Sequence, residues 1–168
     1  MKKVILIFVL TMTFTHIFAQ HISFLGIQLG QSQATIDRLL RQKGFRYTGE
    51  AYEPAHMYEG AFWIYQNVSI LARTYNGRVT EIIVSPSKYL YNKMSDFNNL
   101  VSNLNRKYGN YHSTGQYPTL NYNWQVKGGR IQANCVDFKD SVAFNIRYID
   151  YTSVYYNKPQ KRNWSDDL

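Results

Sequence analysis

The chain has 168 residues, with 19 Lys and Arg against 11 Asp and Glu, a formal charge of +8, and a single cysteine. One cysteine excludes an intramolecular disulfide, so packing must hold the fold. The moderate basic excess either solvates the surface or steers encounters with anionic lipid, polysaccharide, nucleic acid or an acidic protein face, without choosing among them. The 15 Tyr, 9 Phe and 3 Trp, joined by β-branched residues and Asn/Gly turns, favour strands over helices.

Met1-Lys2-Lys3, the apolar run Val4 to Leu10 and the closing Ile17-Phe18-Ala19 have the basic start, apolar centre and small terminal residue of a cleavable signal peptide. Thr11, Thr13, Thr15 and His16 dilute the run below the roughly 20 apolar residues that a spanning helix needs. Residues 1–19 are therefore expected to be cleaved after Ala19, placing the protein in the periplasm or outside the cell. Cleavage leaves 17 basic against 11 acidic residues, a formal +6, and no cysteine after the cut to carry a lipid. The mature chain is expected to be soluble.

Ser32 to about Lys43 reads as a helix, with Ile36, Leu39 and Leu40 on one side and Gly44 as its stop. Strands follow at about Tyr58 to Gln66, Val68 to Tyr75 and Arg78 to Val84, with Asn76-Gly77 a strong signal for a type I′ hairpin turn. A second helix is expected from a Ser95 cap to about Lys107, carrying Phe97, Leu100, Val101, Leu104 and Tyr108 at helical spacing before Gly109. Strands again follow, at about Leu120 to Val126, Arg130 to Val136 and Val142 to Ile149. The pattern suggests one unit written twice. The expected fold class is α+β: two tandem helix-plus-antiparallel-meander units, 20–92 and 93–156, forming one compact body with their sheets joined at an edge. Ser85-Pro86-Ser87 marks the junction, and 157–168 is expected to be a mobile tail.

Phe24-Leu25-Gly26-Ile27-Gln28-Leu29-Gly30-Gln31-Ser32, leading into Ile36-Asp37-Arg38-Leu39-Leu40 and Lys43-Gly44-Phe45, resembles the entry of tandem-repeat proteins like the β-lactamase inhibitor protein. It also resembles the small lipoproteins of the outer-membrane assembly machinery. Leu104 to Gly109 and Trp124 repeat the pattern more loosely. The resemblance implies a fold and transfers no functional residue. The chain departs from the inhibitor in lacking its disulfides and from the lipoproteins in lacking the lipidated cysteine.

Catalytic signatures are missing: there is no Gly-x-Ser-x-Gly elbow, phosphate loop, dinucleotide fingerprint or paired-cysteine motif. Glu53-Pro54-Ala55-His56 has a ligand-like spacing, but Pro54 and Gly60 argue for a loop entering a strand, where that spacing loses its shared face. No metal site or cofactor is expected. Cys135 alternates with Ile131 and Ala133 and reads as a buried, inert thiol.

The informative feature is a difference between strand faces. In the second half Asn121, Asn123, Gln125, Gln132, Asn134, Asn145 and Arg147 alternate with apolar residues, describing a sheet wet on one side. In the first half Phe62, Ile64, Val68, Ile70 and Ala72 form one face, and Trp63, Tyr65, Leu71, Arg73 and Tyr75 the other. Large aromatics beside an Arg are what binding hot spots are made of; alternatively that face lies beneath the loop 49–59 or against the other unit. The expectation is an exported, non-enzymatic protein-binding module, an inhibitor or envelope recognition protein, using Trp63, Tyr65, Leu71, Arg73 and Tyr75. The alternative is a basic envelope-associated protein binding anionic lipid or glycan. Nucleic acid is not the expected partner.

Overall fold

The computed structural model describes residues 21–51, 54–86 and 92–151. The expected signal peptide, Glu53, Ser87 and the 157–168 tail lie outside them.

Ser32 opens α1 (Gln33–Gln42) by accepting the Thr35 backbone N–H on its hydroxyl, and Ile36 and Leu40 become its buried stripe. The second helix, α2 (Met94–Tyr108), starts earlier than a Ser95 cap would place it. Lys93 is the cap residue, its N–H held by the Asp96 carboxylate at 3.0 Å. Phe97, Leu100, Val101 and Leu104 face inward. At its far end the Trp124 indole N–H donates to the Gly109 carbonyl at 3.0 Å and lies 3.2 Å from Asn105 Oδ1, tying helix to sheet.

The strands are β1 (Ser23–Phe24), β2 (Ile27–Gln28), β3 (Arg46–Glu50), β4 (Ala55–Phe62), β5 (Tyr65–Tyr75), β6 (Arg78–Pro86), β7 (His112–Thr114), β8 (Thr119–Val126), β9 (Gly129–Asp137) and β10 (Val142–Asp150). The first two make a small hairpin. The other eight form one antiparallel sheet in the order β3-β4-β5-β6-β10-β9-β8-β7. Asn76 and Gly77 both take positive φ, 49° and 72°, as a type I′ turn requires. Gly129 has a different necessity, since a Cβ there would run into the Ile149 carbonyl oxygen on the neighbouring strand.

These observations overturn the expected α+β class of two tandem helix-plus-meander units. The described chain is mostly β, with two helices laid against a single sheet. Two physical reasons account for the error. Arg46–Glu50 and His112–Thr114 lack apolar alternation and were not legible as strands, yet their backbones add the two edges. The continuous pairing of β6 with β10 then merges what would have been two cores into one. That core lies on one side of the sheet, where Ile36, Leu40, Phe97 and Leu104 of the helices meet Tyr58, Ile70, Ile82, Ile131 and Ile146.

Candidate functional site

The sheet's other side carries no described helix, although Ala55, Glu81 and Ile149 on it are buried. No described element packs over it, because both helices contribute to the core on the opposite side. Cross-strand register aligns its side chains into rows. The middle row crosses all eight strands: His112, Asn123, Gln132, Arg147, Ile83, Leu71, Met57 and Gly49. Its chemistry changes at β10, from amides on β8 and β9 to aliphatic side chains on β6, β5 and β4, with the Arg147 guanidinium at the seam. A neighbouring row carries Gln125, Arg130, Ile149, Glu81, Arg73 and Ala55.

Glu81 anchors this surface. Its side chain is 4% exposed although it lies on the open side, because two guanidiniums cover it. Arg147 brings both Nε and Nη2 to Oε1 at 2.6 Å, and Arg73 Nη1 lies 3.2 Å from Oε2. Arg147 Nη1 also reaches Gln132 Oε1 at 3.4 Å. On the next row Asn134 Nδ2 donates to Asn145 Oδ1 at 3.0 Å. Both amides line a shallow cavity of about 270 Å³ with Ser85, Pro86, Thr119, Val136 and Ala143. That volume falls just below the roughly 300–1,000 Å³ of ligand pockets and suits one inserted side chain.

The five residues expected to share a face do not all do so. Leu71, Arg73 and Tyr75 occupy the open-face positions of β5. Tyr65 is a correction. Between its pairings with Phe62 and the Gly60↔Val68 pair, β5 spends one residue more than β4, and this bulge reverses the alternation. The Tyr65 ring turns to the core side and meets Phe144 edge-on at 5.5 Å. Burial pushes its phenol well above the usual tyrosine range, with Asp96 adding to the effect. Trp63 is in neither face. It sits in the β4–β5 turn at φ 57° and is 44% exposed.

Trp63 has companions that sequence reading missed. Of the six large apolar side chains exposed among the described residues, four are Trp63, Ile64, Tyr117 and Phe138. They lie in the β4–β5 turn, just before β8 and just after β9, and strand direction brings these three places to the same end of the sheet. The cavity residues Pro86, Thr119 and Val136 lie at that end too. Only the pairing of distant strands assembles this rim; no local periodicity announces it.

A second polar cluster fastens α1 to the sheet. The Asp37 carboxylate accepts the Tyr58 hydroxyl, Gln33 Nε2 at 2.7 Å and His56 Nδ1 at 3.0 Å. Burial pulls the Asp37 carboxyl upward, but the hydrogen bonds from Tyr58, Gln33 and His56 outweigh it and hold the group below its ordinary value. Burial and the Asp37 carboxylate push the Tyr58 phenol far up. His56 Nε2 faces Glu50 at 3.8 Å. Cys135 is buried on the core side, and burial with nearby Asp137 raises its thiol to about 11.

Among the described residues, no group of three or more His, Cys, Asp or Glu stands close enough to hold a metal ion, and no helix is long and apolar enough to cross a membrane. No family model, curated protein or solved structure matches the chain.

Proposed function

We propose that this chain is an exported, non-enzymatic protein-recognition module that leaves the cytoplasm by a signal peptide at residues 1–19 and grips its partner with the open sheet face. The observation carrying the reading is the Arg73–Glu81–Arg147 network set beside the aliphatic patch of Met57, Leu71 and Ile83 on a side that no described element covers. Fixed arginines next to apolar area on a rigid scaffold are the make-up of interface hot spots, because they lose little side-chain freedom on docking. The exposed Trp63, Ile64, Tyr117 and Phe138 at one end of the sheet extend that surface. The strongest carboxylate arrangements are committed to structure: Glu81 to two guanidiniums and Asp37 to three donors. This supports binding rather than chemistry.

The test is a pull-down with the mature protein from periplasm and culture supernatant, at low and high salt. The expected result is one partner that survives high salt and is lost with Leu71→Asn. Loss of all binding at high salt would replace this reading with charge-driven association to anionic lipid or glycan, since exposed charge pairs are screened beyond about 10 Å at 0.1 M salt.

A further inference from the structure

The open face has a charge balance of its own. In its two central rows Arg73 and Arg147 share Glu81, and among the described residues Arg130 makes no ion pair, so a cation is left beside Arg147. Arg130 and Arg147 are diagonal neighbours on β9 and β10, within reach of one shared group at a typical diagonal separation of ~7 Å. Both are held in place. Glu81 and Gln132 fix Arg147, and the Tyr151 ring lies 5.9 Å under the Arg130 guanidinium. Arg130 Nε is buried and has no hydrogen-bond partner among the described residues.

The surroundings select the kind of anion carrier. The side-chain amides of Gln132, Asn134 and Asn145 carry N–H donors and carbonyl acceptors, the complement of a peptide group. We propose that the open face receives an extended acidic segment of the partner polypeptide, with one of its carboxylates held between Arg130 and Arg147 and its backbone on the amide rows. Charge complementarity carries the assignment, and it rests on the open face being the binding surface.

The experiment uses fluorescence anisotropy with a labelled short peptide alternating Asp and Ser, its Asn/Ser counterpart, and a uronate oligosaccharide of equal charge. The acidic peptide should bind at least about tenfold more tightly than the neutral one, and Arg147→Gln and Arg130→Gln should each weaken it severalfold. Lys107→Gln, which removes a charge from α2, should change it little. Arg130→Gln leaves the Glu81 pairs intact and keeps the test valid if Arg147→Gln fails to fold. Equal binding of the two peptides, binding of the uronate in place of the peptide, or arginine variants no weaker than Lys107→Gln would overturn the proposal. The same variants, applied to a partner captured in the pull-down, separate the two ideas. A partner lost with Leu71→Asn but indifferent to both arginine changes would overturn the acidic segment and leave the open face standing; indifference to all three would overturn both.

Discussion

Ile70 and Leu71 are adjacent, similar in size and hydrophobicity, and have different fates. Ile70 is fully buried between Tyr58 and Val84, whereas Leu71 lies half-exposed between Met57 and Ile83. The contrast repeats across the sheet: Ala133 against Asn134, Ile146 against Arg147, Ile82 against Ile83. One side is shaped by what the helices bring to it, and the other by what water tolerates. Hydrophobicity alone does not separate them in β4, β5 and β6; the sheet's partners do.

The comparison breaks most sharply under truncation on the core side. Trp124→Ala, which empties the most voluminous fully buried position and removes the indole tie to Gly109, should destabilise by about 3–5 kcal/mol in urea unfolding. Leu40→Ala and Leu104→Ala, on the buried stripes of the two helices, should each cost about 2–5 kcal/mol. Values below about 0.5 kcal/mol for both helical changes would mean that the helices do not cover this side.

Glu81→Gln probes a charged open-side group that is buried like the interior. It leaves two guanidiniums facing an amide and should cost about 2–3 kcal/mol, less than a fully buried ion pair because Arg73 and Arg147 keep some contact with water. A smaller loss than that of Leu71→Ala would show that Glu81 contributes nothing to the frame.

Asp37 gives a pH-dependent effect. Its folded carboxyl titrates below the ordinary 3.8, so its stabilisation is present above that value and is lost as pH falls through the lower folded one. Acid unfolding curves should show stability lost as pH falls through and below the ordinary 3.8, a loss that Asp37→Asn does not show. Parallel curves would remove the α1–β4 tie from the account. Smallest of all is the effect at Cys135. Raising the thiol from 9.0 to about 11 lowers its thiolate fraction about a hundredfold, so the native protein should resist a disulfide reagent and react on unfolding. Rapid labelling of the native thiol would place Cys135 at the surface.

How far the chain could be read from its letters differs between these two sides. Ile36, Leu40, Phe97 and Leu104 announce the helices by spacing, and the alternation of Asn121 to Arg147 announces a half-wet sheet, because both are local periods. The two edge strands and the partners at the junction were not legible: Arg46–Glu50 and His112–Thr114 carry no pattern, and the β6–β10 pairing joins residues more than sixty positions apart. Tyr65 was misplaced for a related reason. A one-residue bulge reverses alternation without changing composition. Glu81 was missed because an acid among apolar neighbours gives no hint that arginines from two other strands will close over it.

The central claim is that one side of the sheet folds the chain and the other recognises a partner. Its most direct test compares Ile70→Ser and Leu71→Ser in one experiment, recording the thermal midpoint and the capture of the high-salt partner. The account predicts that Ile70→Ser collapses the midpoint, while Leu71→Ser holds it within a few degrees and releases the partner. A Leu71→Ser midpoint that falls as far as that of Ile70→Ser, or a partner retained in full, would contradict it.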